Sequence, residues 1–289
     1  MYHSCRLQNE TLTVRGVDRL DLARCFACGQ SFRWKGEKEH FWGAALGRPV
    51  YAAQAGDDLT VWPCKPGEEG LWLRYFDLER DYAALEARLM ADASLCACVP
   101  CAKGIRVLNQ EPFETLITFI LSANNNTKRI AGIVERLCQR AGERVCFNGR
   151  EWRLFPEAGA IAALSEQELV ALGAGYRAPY LKESARIIAE GYDLERLRGL
   201  PLEEARRELM AFPGVGPKVA DCVLLFSLGH ANAFPVDVWI GRAMRAIYFG
   251  GDAPEKTQLE QAIRSLGEES GIVQQYIFHY ARQVGLGKG

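Results

Sequence analysis

Residues 209–240 read LMAFPGVGPKVADCVLLFSLGHANAFPVDVWI, and the rest of the chain is organised around this stretch. Its turn at 213–216 contains Gly214 and Gly216, which tolerate positive φ and let another backbone approach closely. Pro217 suits the first position of a following helix, because a missing N–H costs nothing there. The pattern predicts a helix, a glycine hairpin and a second helix. The hairpin N–H groups and the N-terminus of the second helix can together bind a phosphate.

Two ionisable side chains stand at predicted helix starts beside this hairpin. Lys218 falls in the first turn of the second helix, where the helix dipole disfavours a positive charge. A desolvated lysine loses its proton more readily, and a neutral amine is a nucleophile. Cys222 lies four residues on and therefore shares a face with Lys218. Asp237 suits the N-cap of a third helix. From the residues alone, a surface lysine and a routine cap remain the alternative.

The sequence FPGVGPKVAD, followed by PVDV, resembles the helix-hairpin-helix and Gly/Pro-Asp signature of DNA glycosylases. Three further segments are GQSFRW at 29–34, PFETLITFILSANNNTKRI at 112–130 and GYRAPY at 175–180. Together, in this order, the segments resemble the 8-oxoguanine DNA glycosylase/lyase family over most of the chain. The hairpin alone is weaker evidence for a glycosylase, because many proteins use it only to hold DNA.

The resemblance implies a catalytic pair. Lys218 would attack C1′ of the sugar, displace the base and leave a Schiff base that permits strand cleavage by β-elimination. Asp237 would stabilise the positive charge that develops at C1′. Trp239 departs from the family, whose better-known members have a phosphate-contacting histidine two residues after the aspartate. An indole has one donor and no charge, so that contact is not carried over.

The resemblance also implies a pocket for the damaged base. The carbonyl of Gly29 would accept the N7–H that 8-oxoguanine has and guanine lacks, so a wrong base would leave a buried acceptor unpaired. Phe278 would stack on the base opposite Cys222. Gln274 would read the Watson–Crick edge of the base. Taken alone, Gln274 and Phe278 would be one face of an amphipathic helix, and Gly29 a turn glycine.

Four further residues are implied to contact the duplex. Asn124, the first of three consecutive asparagines, would fill the gap left by the flipped nucleotide, and Tyr176 would be the neighbouring wedge. Arg129 and Arg177 would contact the unpaired cytosine, because a guanidinium suits a base edge. Without the resemblance, the asparagines would simply form a turn, and the arginines would be solvated surface charges.

Composition restricts the class of protein. The chain has 289 residues, 48% of them hydrophobic, enough for one large or two smaller domains. A formal net charge of −1 argues against a protein that coats DNA by charge alone. No run approaches the ~18 apolar residues of a membrane helix, and no secretory signal is visible. We expect a cytoplasmic monomer that acts on chromosomal DNA and does not associate with membranes.

The ten cysteines raise the questions of disulfides and metals. Without a secretory signal we expect free thiols. Cys25 with Cys28, and Cys98 with Cys101, have metal-like spacing, but no histidine lies near either pair. We therefore expect no metal and no cofactor. The C-terminal four-cysteine iron–sulfur site of related glycosylases is excluded, because no cysteine follows Cys222.

Hydrophobic periodicity predicts an α+β fold with two domains. Residues 1–102 are predicted to form an antiparallel sheet domain with helices, and residues 103–289 an all-α domain. The resemblance implies that this second domain is a helix-hairpin-helix glycosylase domain. In the second domain, Thr127 could cap one helix, and Ser165 with Glu168 forms a capping box. The strands are predicted at 11–14, 31–34, 40–45, 49–53 and 59–62.

The function predicted from these features is excision of 8-oxoguanine from duplex DNA, preferably opposite cytosine, with a lyase step through Lys218. The alternatives are a glycosylase for another damaged base and a helix-hairpin-helix DNA-binding protein without catalysis. Trapping by borohydride separates them, because only a Schiff-base enzyme becomes covalently linked to DNA.

Overall fold

A computed structural model describes residues 1–286, so the last three residues of the predicted second domain lie outside the described part. The N-terminal half is built on a six-stranded antiparallel sheet in the order β1-β2-β6-β5-β4-β3. The strands are β1 Ser4–Gln8, β2 Thr11–Arg15, β3 Lys35–Glu37, β4 His40–Ala45, β5 Arg48–Ala55 and β6 Asp58–Trp62. In β2, Leu12 and Val14 are fully buried while their neighbours are not, so one face of the sheet covers a core.

Three helices belong to this half of the chain: α1 Leu22–Ala27, α2 Glu69–Tyr75 and α3 Tyr82–Ala91. α1 and α2 contribute Leu22 and Trp72 to the core beneath the sheet. The predicted strand at 31–34 is wrong, because these residues form bends outside the sheet. Phe32 packs against the core of the helical half, whereas Trp34 stacks on Phe26 with ring centroids 4.1 Å apart. The apolar residues that suggested a strand are therefore shared between two cores.

The rest of the described chain is mainly helical. Its helices are α4 Val99–Ala102, α5 Pro112–Ser122, α6 Thr127–Ala141, α7 Ala158–Ala162, α8 Glu166–Ala171, α9 Ala178–Ala189, α10 Leu202–Leu209, α11 Pro217–Ser227, α12 Val238–Tyr248, α13 Lys256–Ser265 and α14 Ser270–Val284. α5 and α11 each bury nine of eleven residues and pack against one another. They are buried on nearly every side, as expected of central helices. None of the helices in residues 1–286 has the length and apolarity needed to cross a membrane.

The predicted α+β fold class is confirmed, but the helical half also contains a β-hairpin that the sequence analysis missed. β7 Arg144–Phe147 pairs antiparallel with β8 Arg150–Arg153. The turn between them is Asn148-Gly149, with both residues at positive φ, as two-residue hairpin turns require. The Asn-Gly pair was the available signal, and the surrounding helical pattern obscured it.

Helix starts follow local capping chemistry. The Asp237 side chain caps α12 by accepting from the Ile240 N–H at 2.8 Å, as predicted. The capping box of Ser165 and Glu168 is present at α8. The predicted cap at Thr127 is wrong by one residue, because the side chain of Asn126 accepts the N–H of Arg129 and Thr127 begins the helix. An Asn side chain is a better N-cap than a Thr side chain, so Asn126 occupies the N-cap position.

The two halves share packing near the predicted boundary at residue 102. The core of the helical half includes Tyr82, Leu85 and Leu89 of α3, together with Leu95 and Cys98 before α4. Helix α3 therefore packs with the C-terminal core, although it precedes residue 102. The division into 1–102 and 103–289 stays a prediction.

Candidate active site

The glycine hairpin lies between α10 and α11 and leaves an open surface at the start of α11. Gly214 has φ +77°, and a Cβ there would lie 2.6 Å from the ring of Tyr180, so a side chain would be both strained and crowded. Gly216 is the N-cap of α11, and a Cβ there would meet no atom within 4 Å. Both glycines are exposed. A large ligand can therefore approach the backbone at this helix N-terminus.

Lys218 is held in the first turn of α11 by two groups on α5. Its Nζ donates to Ser122 Oγ at 2.9 Å and lies 5.3 Å from the ring centroid of Phe119. The sequence analysis missed both Ser122 and Phe119, because no local signal links positions 96 residues apart. The half-buried Lys218 thus has a fixed direction within the site.

One cavity gathers the predicted catalytic and base-binding residues. Its volume is about 570 Å³, within the usual range for small-molecule sites. It lies between the 28–32 segment, the junction of α5 and α6, α11, the start of α12, and α14. The predicted residues that line it are Gly29, Asn124, Lys218, Cys222, Asp237, Gln274 and Phe278. Lining residues that were not predicted as site residues include Phe32, Phe119, Ser122, Thr127, Trp239, Gln275 and Arg282.

A second cavity of about 470 Å³ lies elsewhere, on the outer face of the sheet. Trp42, Tyr51, Trp62 and Arg150 contribute to its wall. None of the predicted site residues lines it, and in the part of the chain that the structure describes it receives no carboxylate or amine that could act as a nucleophile. The cavity containing Lys218 is therefore the candidate active site.

The walls of this cavity combine apolar surface with fixed polar groups. Burial raises the pKa of the Cys222 thiol to about 11, although the Lys218 charge opposes the shift, so Cys222 offers a neutral sulfur surface. The amide of Gln274 donates to the Pro235 carbonyl at 3.0 Å and accepts from Gln275 at 2.6 Å. Both ends of the Gln274 amide are thus held, which gives the side chain a defined orientation.

Phe278 forms part of the cavity mouth. It is half-buried, and the guanidinium of Arg282 lies 5.6 Å from its ring centroid. A cation over an aromatic face restrains the ring as well as adding charge. Arg282 carries a positive charge at the mouth of the cavity, whose other charged lining groups among residues 1–286 are Lys218 and Asp237.

Gly29 is held in place by its buried neighbour. Gly29 has φ +93°, which a glycine adopts without strain. Gln30 is 1% exposed, and its Nε2 donates to the carbonyls of Cys25 at 3.0 Å and Arg106 at 2.9 Å. Its Oε1 accepts the N–H of Leu108 at 2.9 Å. Every hydrogen-bonding group of this side chain is used, so the backbone beside Gly29 has one position.

The three asparagines at the junction of α5 and α6 have different environments. Asn125 Nδ2 donates to the Leu121 carbonyl at 3.0 Å, and Asn126 caps α6. Asn124 has φ +48° and is exposed at the edge of the cavity. Two asparagines therefore build the turn, while the first is free to contact a ligand.

Tyr176 and Arg177 lie beside this loop and do not line the cavity. Tyr176 is 58% exposed, and the Arg177 guanidinium lies 4.3 Å from its ring centroid. Arg177 is 4% exposed and donates to the carbonyls of Ala123 at 2.9 Å and Asn124 at 3.1 Å. Arg129, in contrast, is exposed on the first turn of α6. The structure thus places Arg177 against the asparagine loop and leaves Arg129 open to solvent.

The cysteine pairs with metal-like spacing consist of separate thiols. Burial raises the pKa of Cys25 to about 12 and that of Cys28 to about 11, and their Sγ atoms contact backbone groups. In the described range 1–286, no three His, Cys, Asp or Glu side chains are arranged to hold a metal.

Comparison with known families gives two adjoining matches. A family model described as the HhH-GPD superfamily of base excision DNA repair proteins matches residues 117–269. A model described as the N-terminal domain of 8-oxoguanine DNA glycosylase matches residues 14–116. The two matches cover both halves of the fold.

Individual proteins are similar over most of their length. A probable N-glycosylase/DNA lyase of Methanothermobacter thermautotrophicus is 36% identical over 231 residues, which cover 73% of this chain and 72% of that protein. An N-glycosylase/DNA lyase of Saccharomyces cerevisiae is 34% identical over 263 residues, covering 79% of this chain and 68% of the relative. The crystal structure of Clostridium acetobutylicum 8-oxoguanine glycosylase/lyase, bound to double-stranded DNA with cytosine opposite 8-oxoguanine, has a TM-score of 0.91 at 34% identity. That likeness covers 98% of this chain and 99% of the Clostridium chain.

Proposed function

Because this chain belongs to the HhH-GPD superfamily and, within it, to the 8-oxoguanine DNA glycosylase/lyase family, we propose that it excises 8-oxoguanine from duplex DNA. It is a bifunctional DNA glycosylase and abasic-site lyase, as the relatives' names indicate. Its partner is duplex DNA carrying 8-oxoguanine. We expect it to act as a monomer in the cytoplasm.

The observation that supports this proposal is the content of one cavity. An amine, a carboxylate and an apolar slot meet there: Lys218, Asp237 and the walls formed by Cys222 and Phe278. Base excision needs these three features, because a nucleophile must reach C1′, a charge must stabilise the transition state and a flipped base must be held. The open backbone at Gly214 and Gly216 offers a phosphate contact nearby.

In the proposed reaction, the neutral amine of Lys218 attacks C1′ while the bond from C1′ to the base breaks. Asp237 uses one oxygen to cap α12, and the other can face the positive charge that develops on the sugar. The nitrogen loses a proton and the departing base gains one, and the C1′–O4′ bond of the sugar then opens to leave a Schiff base. The Schiff base acidifies C2′, so loss of a C2′ proton and β-elimination break the C3′–O bond and cleave the strand.

The pocket residues would select the base. Phe278 and the neutral sulfur of Cys222 would sandwich the purine, and Gln274 would contact its Watson–Crick edge. The carbonyl of Gly29 would accept the N7–H of 8-oxoguanine. Guanine presents an acceptor at N7, so the lone pairs of guanine N7 and of the Gly29 carbonyl oxygen would repel each other in the buried site.

We further propose that the enzyme prefers cytosine opposite the lesion. Arg129 and Arg177 would donate to the acceptor edge of cytosine, and Asn124 with Tyr176 would occupy the space that the flipped base leaves. Tyr176 and Arg177 contact the asparagine loop beside the cavity, and Asn124 lies at the cavity edge, which supports this assignment.

Borohydride trapping on a duplex with 8-oxoguanine opposite cytosine tests the lysine mechanism. The wild type should become covalently linked to DNA. Lys218→Gln should abolish both base release and trapping, because the nucleophile is gone, and should bind the duplex nearly as well. Lys256→Gln is the matched control, since that lysine is exposed and forms only a surface ion pair with Glu260. Normal base release by Lys218→Gln would exclude the lysine mechanism.

A further inference from the structure

The last turn of α5 presents a hydroxyl group to the nucleophile. Ser122 Oγ lies 2.7 Å from the carbonyl oxygen of Phe119 and 2.9 Å from Lys218 Nζ. A serine hydroxyl has one proton, and a carbonyl can only accept it. The proton is therefore committed to Phe119, and towards Lys218 the hydroxyl oxygen is an acceptor.

The aromatic ring of Phe119 fixes the other side of the amine. Its centroid is 5.3 Å from Lys218 Nζ, and the ring stacks on Phe226 at 5.4 Å with 16° between the planes. Phe119 is 5% exposed, so this ring has little freedom. Lys218 Nζ donates to Ser122 Oγ and also interacts with the Cys222 thiol on its own helix, and within residues 1–286 no carboxylate forms an ion pair with it.

We propose that Ser122 is a positioning residue for the nucleophile, a role that rests on the function proposed above. When Lys218 is neutral, one N–H donated to Ser122 Oγ turns the lone pair of the nitrogen away from α5 and towards the cavity. Orientation of a reacting lone pair accelerates attack because the rotational freedom is removed beforehand. Ser122 thus aims the amine at the sugar carbon.

The hydrogen bond between Ser122 and Lys218 should therefore affect the chemical step and not the binding of DNA. Removing the hydroxyl should lower the maximal rate, because the amine can then rotate away from the sugar carbon. A residue that only fills space would not produce this loss.

Single-turnover base release at saturating enzyme, with DNA affinity measured separately, tests the proposal. Ser122→Ala should lower the plateau rate by about tenfold, the value of roughly one hydrogen bond. The affinity for DNA should stay unchanged. Thr115→Val is the matched control, because the Thr115 hydroxyl donates to the Glu111 carbonyl on the same helix, at 2.7 Å, and is remote from Lys218. That variant should keep both the plateau rate and the affinity.

Further variants separate positioning from folding. Ser122→Thr keeps the hydroxyl and should keep the wild-type plateau rate. Should Ser122→Ala fail to fold, Ser122→Cys supplies the measurement, since sulfur is a weak acceptor of similar size. A folded Ser122→Ala or Ser122→Cys with the wild-type plateau rate overturns the role of Ser122. An inactive wild type would instead overturn the proposed function, so the two failures are distinguishable.

Discussion

Arg129 and Arg177 have the same proposed ligand, but the fold holds them differently. Arg177 is 4% exposed and its guanidinium donates to the carbonyls of Ala123, Asn124 and Ala174. Arg129 is exposed and has no side-chain hydrogen bond or ion pair with another described residue. Arg177 therefore stabilises the asparagine loop, whereas the Arg129 side chain is open to solvent.

This difference gives separate predictions for the two arginines. Arg129→Ala should flatten the preference for cytosine over adenine opposite 8-oxoguanine, by roughly tenfold to a hundredfold, and leave the unfolding free energy unchanged. Arg177→Ala should also cost about 2 kcal/mol of stability, because buried carbonyls lose charged donors. Cleavage of 8-oxoguanine opposite each base, with urea unfolding of each variant, measures both effects. Equal cleavage of all four pairings by the wild type would contradict the role of these arginines.

At the scale of elements, the β7–β8 hairpin connects the helical half to the outer face of the sheet. The ring of Phe147 lies 4.8 Å from that of Trp62 and 6.1 Å from that of Tyr51, between centroids. Arg33 extends the connection, because it donates to the Arg153 carbonyl and pairs with Glu114 of α5 at 3.6 Å. The hairpin thus contacts both the sheet and, through Arg33, the segment that carries the cavity wall.

Removing the aromatic contact should weaken this connection. Phe147→Ala should lower the unfolding free energy by about 2 kcal/mol, less than for a core phenylalanine because the ring is half-buried. It should also speed proteolysis between residues 142 and 154. Cys146→Ala, an exposed change on the same strand, is the control. Unchanged urea unfolding and proteolysis in Phe147→Ala would show that the hairpin contributes nothing to the association of the two halves.

At the scale of the whole molecule, Arg106 joins segments from several parts of the chain. It is 0% exposed and donates to the carbonyls of Asp18, Arg19 and Asp77. Its guanidinium also stacks on Tyr82 of α3, 4.4 Å from the ring centroid. A planar, multiply donating group satisfies this geometry, and a single ammonium does not. Arg106 thus holds the chain between the two halves against the sheet domain.

Arg106→Lys should therefore destabilise the whole protein despite keeping the charge. We expect a loss of about 3 kcal/mol or more in unfolding free energy, because buried carbonyls and the buried cation lose their partners. Arg207→Lys, on the exposed face of α10, is the control and should change stability by less than about 0.5 kcal/mol. A stable Arg106→Lys would mean that water or neighbouring groups replace the lost hydrogen bonds.

The sequence by itself determined the features that depend on neighbouring residues. The glycine hairpin, the Asp237 cap and the Ser165 capping box follow from backbone sterics and hydrogen bonds over three or four residues. The family motifs also located seven of the residues that line the cavity, because each motif carries its own side chains. Even here a one-residue error occurred, since Asn126 competes with Thr127 for the same cap.

Only the tertiary structure decided which distant residues meet. The segment at 31–34 has the pattern of a strand, yet Phe32 and Trp34 pack into different cores. A local sequence pattern does not determine which of two cores a side chain enters. Ser122 reaches Lys218 across 96 residues, and Arg177 reaches the loop at Ala123 across 54, because α5 packs between neighbouring helices. Such contacts depend on how the whole core fills space, which short-range propensities do not encode.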